Sequence, residues 1–293
     1  MARDPQIPSK DVGSRTEVPG DQTYKANFMN ESRTHPVHLQ VVNVVVLVLV
    51  LWANAAAGSG ALSGESIGVV ANRHASYFLP ANYVFGIWSL IYLGVILFVM
   101  YQALPVARAS ASLAALGWGW AANGALNIVW VVLFSFSMFV PAWLVMIALL
   151  MNLIWIHERI GFGTRPHSWI ERVCLVGPFG LYLAWISVAL ISNTSQLVTY
   201  VGWNGFGISG PVWSAIMMLV ATALSAFMVV HRGNWLFPVV FAWAFVGLAS
   251  RYAEIPVIAN TAYVTSAAGL AVLAGVSVWR WSQGAWSTAG SRP

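Results

Sequence analysis

Residues 80–104 read PANYVFGIWSLIYLGVILFVMYQAL, Pro80 to Leu104. The stretch is apolar and carries no charge. As a helix rising ~1.5 Å per residue it is long enough to cross the ~30 Å hydrocarbon core of a bilayer. Pro80 stands where a first-turn proline is tolerated. Phe85, Trp88 and Tyr92 recur at spacings of three and four, so they share one helix face. Such a face either packs against a neighbouring helix or forms one wall of a ligand pocket. The rest of the chain decides whether other helices answer it.

The composition places the whole chain in the same solvent. Of its 293 residues, 59% are hydrophobic and 8% charged, against about 25% charged in a soluble domain. Mean hydropathy is +0.72. The expected class is all-α, a polytopic membrane helix bundle. The net charge of +5 is spread over short loops and tails, so no nucleic-acid partner is expected. A single cysteine, Cys174, leaves no internal disulfide and no thiolate metal site. The sixteen tryptophans exceed what an interfacial belt needs.

Periodicity and hydropathy predict about eight spans. Residues 1–37 are polar and mixed in charge and read as a flexible cytoplasmic tail. His35 and His38 lie three apart there, but without a third ligand they do not make a metal site. The first span covers about Leu39–Ala57. Its apolar run is followed by the A-x-A string Ala53-Asn54-Ala55, which resembles a signal-peptide cleavage site, but the long acid-bearing region before it favours a retained helix. Gly58–Leu79 is a small-residue loop, and the opening stretch is the second span.

The third span, about Leu113–Ser135, places Trp120, Asn123, Asn127, Trp130 and Phe134 on one continuous seam. Unpaired asparagines in lipid cost several kcal/mol, so the seam faces protein or a cavity; for Asn123, interhelical glue is a sufficient role. The fourth span is about Pro141–Ile156. The fifth, about Val173–Asn193, carries Pro178, Tyr182, Trp185, Ala189 and Asn193 on one face, with a proline that permits a kink. Residues 194–211 read as an uncharged aromatic loop. Spans follow at about Val212–Val230, Asn234–Ser250 and Ile258–Trp279. Small residues on the last span make a homodimer plausible.

An even number of spans puts both termini on one side. That side collects Arg108, Arg159, Arg165, Arg172, Arg232, Arg280 and Arg292, and the other holds only Arg73 and Arg251. The positive-inside rule then gives cytoplasmic N and C termini. Arg251 and Glu254, three apart at the end of the seventh span, are expected to pair with each other.

Three motifs in order now point to one family. The second span has Pro80, Phe85, Trp88 and Tyr92. The third has Leu126, Asn127, Trp130 and Phe134. The fifth has Pro178, Phe179, Tyr182, Trp185, Ser187, Ala189 and Asn193. At those helix positions they resemble the TspO/MBR family, the tryptophan-rich sensory proteins and peripheral benzodiazepine-receptor-like translocator proteins. The string Trp203, Gly205, Phe206, Gly207, Ile208, Ser209 is similar to one in the longer bacterial members. One spacing differs: the phenylalanine stands three residues before the tryptophan here and four in typical short members. Beside the flexible tail over 1–37 and a C-terminal tail over 282–293, the resemblance implies a five-helix core over 38–193 and three additional transmembrane helices over 194–281, in a bacterial inner membrane.

Depth supplies an argument independent of the family. Counting ~1.5 Å per residue from the outer ends, Trp88 lies about 9 Å down, Tyr92 about 15 Å, Asn127 about 12 Å, Trp130 about 8 Å and Trp185 about 12 Å. Three helices thus place aromatic or amide groups at one level. The candidate ligand-binding residues are Phe85, Trp88, Tyr92, Asn127, Trp130, Tyr182, Trp185 and Ala189. Such a cavity suits a flat, hydrophobic, weakly polar ligand. In the family resemblance that ligand is a tetrapyrrole such as a porphyrin or haem-related molecule, or a sterol- or isoprenoid-like lipid. No cofactor is required, and the expected partners are membrane lipid and this hydrophobic small molecule.

The expected function is therefore a membrane receptor, sensor or carrier. The alternative is a transporter of a small hydrophobic or ionic solute, working without the mid-membrane charge that ion-coupled carriers usually hold. An enzyme is not expected, because the spans hold no carboxylate pair, metal cluster or Ser/His arrangement. A retinal photoreceptor is excluded, since the only lysines, Lys10 and Lys25, lie in the tail.

Overall fold

The structure, a computed structural model, describes residues 35–283. The tails expected over 1–37 and 282–293 lie almost wholly outside them. The chain is all-helical across its apolar segments, as its periodicity predicts. Among the described residues, six helices are long and apolar enough to cross a membrane: α1 (Val37–Ser59), α3 with its 3-10 entrance (Asn82–Ala103), α6 (Phe139–Ile160), α7 (Trp169–Tyr200), α8 (Gly210–Arg232) and α10 (Pro256–Ser282). Two further apolar helices, α5 (Gly119–Ser135) and α9 (Leu236–Arg251), stand where the third and seventh spans are expected but are shorter. Short helices α2 (Ile67–Arg73) and α4 (Ala111–Leu116) precede α3 and α5.

Local chemistry explains the boundaries. Ser66 caps α2 by accepting from the Val69 N–H, and Ser110 caps α4 by accepting from the Leu113 N–H. Ser168 and Glu171 form a reciprocal capping box at the start of α7. The third expected span is broken because Gly117 takes a left-handed φ of 49°, a conformation that side-chain-bearing residues avoid. The fifth span is longer than expected at both ends. Its start contains a π turn, Arg172–Val176, in which the Gly177 N–H reaches the Arg172 carbonyl. This wide turn sits directly before Pro178, where a proline removes a backbone donor. Its C-terminal end continues to Tyr200, so the boundary expected at residue 193 falls inside a helix, and the loop expected from 194 begins only after it.

α7 is the hub. It is 72% buried over its most apolar window, against 22–39% for the other five long helices. It packs against α3, α6 and α9, while α1 packs against α5 and α3, and α8, α9 and α10 pack on one another. The five-helix core and the C-terminal three are therefore joined through α7 and α9.

The C-terminal helices also hold the segment that links α1 to α3. Arg251 Nη2 donates to Asn72 Oδ1 at 2.8 Å, Tyr252 OH to the Ser76 carbonyl at 2.7 Å and Ser214 Oγ to the Tyr77 carbonyl at 2.7 Å. Trp243 Nε1 donates to the Val84 carbonyl at 3.0 Å, and the Ala81 N–H to the Gly247 carbonyl at 3.1 Å. Arg251 thus engages Asn72 rather than the expected Glu254; the helix end points it across to α2. Gly247 is needed for this contact, since a Cβ there would stand 2.1 Å from Val84 Cγ2. Arg73, at the other edge of α2, donates to Ser137 Oγ at 2.8 Å and pairs with Glu65. At the opposite end of the bundle Arg232 pairs with Glu158 at 2.7 Å, and Arg280 donates to the Val229 carbonyl at 3.3 Å.

Candidate ligand-binding cavity

A cavity of about 380 Å³ opens between α1, α2, α3, α5 and α7. Its floor and walls are aromatic: Phe85, Trp88, Tyr92, Trp130, Phe134 and Trp185. Helix periodicity puts them there. Trp88 and Tyr92 are one turn apart on α3 and stack at 5.6 Å between centroids and 24° between planes. Trp88 then meets Trp130 of α5 at 6.4 Å and 25°, and Trp185 of α7 edge-on at 6.3 Å and 83°. Trp88 is thus the ring on which three helices converge. These offset-stacked and edge-to-face pairings are the arrangements favoured by the ring quadrupole.

Phe85 lies in the 3-10 turn Asn82–Gly86. A 3-10 turn has 3.0 residues, so positions three apart eclipse. The shortened spacing from Phe85 to Trp88 therefore still brings Phe85 to Trp185, 6.1 Å away at 88°. Ala189, one turn beyond Trp185, contributes a small side chain to the wall.

Six of the eight expected residues thus line the cavity: Phe85, Trp88, Tyr92, Trp130, Trp185 and Ala189. Asn127 and Tyr182 do not. They line a separate void of about 10 Å³ behind Trp88 and Tyr92, too small for an organic ligand. There Asn127 Nδ2 donates to Tyr182 OH at 3.0 Å, and Asn127 Oδ1 accepts from Asn54 Nδ2 at 2.7 Å. The two residues brace the wall from behind. Asn123 is interhelical glue, donating to Asn152 Oδ1 at 3.0 Å. His35 and His38 turn to different neighbours: His35 Nε2 lies 3.2 Å from Gln102 Oε1, and His38 faces Trp118.

Most polar groups of the cavity escaped sequence reasoning. Asn54, Asn82, Ser192, Asn193 and Gln196 all line it. Asn193 was legible on the α7 face. Gln196 follows on the same face three residues later, but falls in the polar run Thr194-Ser195-Gln196, which lowers hydropathy and reads as a loop. Asn54 was absorbed into the A-x-A string. Helix α2 roofs the space with Ile67, Gly68 and Ala71, and Gln196 Nε2 holds that roof by donating to the Ala71 carbonyl at 3.3 Å. Among the described residues, no charged side chain lines the cavity. The arrangement offers a broad π surface and a few amides.

Among known families, the model described as TSPO-like protein matches residues 40–276. The match runs through the five-helix core and all but the last residues of α10. No curated protein and no solved structure matches the chain.

Proposed function

On the premise that this chain belongs to the TSPO-like protein family, we propose that it is a membrane receptor or carrier for a tetrapyrrole, such as a porphyrin or haem-like molecule, or a similar flat apolar ligand. The family and the apolar helices make it an integral membrane protein. One observation carries the ligand reading: Trp88, Trp130 and Trp185, from three helices, wall a cavity of about 380 Å³. A flat conjugated ring gains burial and stacking against such walls at once.

The ligand sits under α2, whose Ile67, Gly68 and Ala71 cover the cavity. The roof is tied to α9 through Arg251 and Asn72, so occupancy of the cavity is felt by the C-terminal helices. Both termini face the cytoplasm, by the excess of arginine at the end of the bundle that carries Arg159, Arg232 and Arg280. The protein works without catalysis, in a bacterial inner membrane, and its partners are lipid and this small molecule.

The test is a titration of the purified protein with a panel of porphyrins, sterols and carotenoid-like lipids, read by quenching of tryptophan fluorescence. Saturable quenching by a flat tetrapyrrole, with weaker response to linear chains, is the expected result. Uniform, non-saturating response to every hydrophobic compound would refute the proposal.

A further inference from the structure

The amides of the cavity are oriented by their own backbone, and this sets what they offer a ligand. Asn54 Nδ2 donates to the Val50 carbonyl at 2.8 Å and to Asn127 Oδ1 at 2.7 Å, which uses both of its N–H bonds. Asn193 Nδ2 donates to the Ala189 carbonyl at 3.0 Å, and Gln196 Nε2 to the Ala71 carbonyl at 3.3 Å. A main-chain carbonyl has no proton to give, so each of these amides must turn its nitrogen towards it. The assignment of oxygen and nitrogen therefore follows from chemistry, where an isolated amide would leave it open.

The amide oxygens left over are acceptors. Asn54 Oδ1, Asn193 Oδ1 and Gln196 Oε1 receive no hydrogen bond from any described residue. Gln196 is only 7% exposed overall, but its oxygen is not among the sealed-off polar atoms of the described residues, so a ligand group can reach it. The indole N–H groups of Trp130 and Trp185 are donors, but both Nε1 atoms are packed within the wall, closed off from the cavity space. The Ser192 and Tyr92 hydroxyls can act either way, and Asn82 stands at the exposed mouth.

Resting on the ligand-site reading above, we infer that the cavity selects ligands whose buried polar group is a neutral hydrogen-bond donor, an O–H or N–H, through Asn54, Asn193 and Gln196. A carbonyl or ether placed there sets acceptor against acceptor and leaves both unpaired, which costs more than an absent bond. A carboxylate fares worse, because no cation lines the space and its charge would be desolvated without a partner. A ligand large enough to span from the amides to the mouth holds its acid groups beside Asn82, where solvent reaches; a small single-ring-system ligand with one polar group cannot do both.

The experiment uses the purified full-length protein and three pyrenes: pyrenemethanol, its methyl ether, and pyrenecarboxylate. They share one flat skeleton and differ in the polar group. Energy transfer from tryptophan to pyrene reads binding at the protein and separates it from partition into detergent. The alcohol is expected to bind roughly three- to tenfold more tightly than the ether, the span of one net hydrogen bond, with the carboxylate weakest. In the double variant Gln196→Met, Asn193→Leu the alcohol's advantage over the ether should shrink to less than about twofold, since most of the acceptors are gone. Wild-type protein that binds ether or carboxylate as tightly as alcohol overturns the inference while leaving the cavity a ligand site. A wild-type advantage that survives the double variant unchanged also overturns it. Absence of saturable binding by all three pyrenes overturns the ligand-site reading itself.

Discussion

Trp88→Leu removes the ring at the centre of the aromatic wall. Trp88 faces Tyr92, Trp130, Tyr182 and Trp185 at centroid distances of 5.6, 6.4, 5.8 and 6.3 Å. A favourable aromatic pair contributes about 0.5–1.5 kcal/mol beyond burial, so four pairs sum to about 2–6 kcal/mol. Pairs sharing one ring are not independent, and the lower half of that range is expected as lost stability. The ligand loses a single stacking partner, about 0.5–1.5 kcal/mol, which is roughly two- to tenfold in affinity. The two effects are measured separately: thermal unfolding in detergent for the first, porphyrin quenching titrations on protein shown to be helical by circular dichroism for the second. Trp88→Phe keeps a ring and should fall between wild type and leucine in both. Trp279→Leu, at an exposed position on α10, should leave affinity unchanged. If Trp88→Leu lowers the unfolding temperature but leaves porphyrin affinity at the wild-type value, the aromatic wall is packing alone.

Other consequences follow from single contacts. Gly247→Ala drives a Cβ into Val84. It should cost about 1–3 kcal/mol of stability, as overpacking does, and loosen the α3 entrance, read as a lower unfolding temperature and faster proteolysis between residues 60 and 82. Asn127→Leu breaks the link from Asn54 to Tyr182. It should destabilise the fold by about 1–3 kcal/mol, the cost of a buried polar group left unpaired, while weakening porphyrin binding less than Trp88→Leu does, because Asn127 stands behind the wall. For topology, single cysteines at Ala61 and Thr164 in a Cys174→Ala background should be labelled from opposite sides of the membrane; labelling of both from one side contradicts the arrangement of spans between them.

The bundle was legible because lipid imposes long apolar helices, and hydropathy reports them directly. The aromatic wall was legible for a related reason: Trp88, Trp130 and Trp185 sit at helical spacings within regular spans, so both face and depth could be counted. What escaped depends on neighbours that are distant in sequence. Helix α2 is seven residues long, too short for a periodic signal. It is fixed by Arg251 and Gln196, far along the chain. The pairing expected for Arg251 with Glu254 considered only local sequence, and the structure sends Arg251 to Asn72. Asn127 and Tyr182 were on the right faces at the right depth, but a one-dimensional count cannot distinguish a wall from the layer behind it. Gln196 was hidden by its polar neighbours, although its burial against α2 keeps the helix running past residue 193.

The central claim is that the space bounded by Trp88, Trp130 and Trp185 holds the ligand. The most direct measurement is a porphyrin titration of wild type beside Ala189→Phe, which places a ring in the cavity from a position whose small side chain now lines it. Wild type is expected to show saturable, one-to-one quenching, and Ala189→Phe to lose it while keeping wild-type helix content and elution volume. Equal saturable binding by both proteins would place the ligand elsewhere and contradict the account.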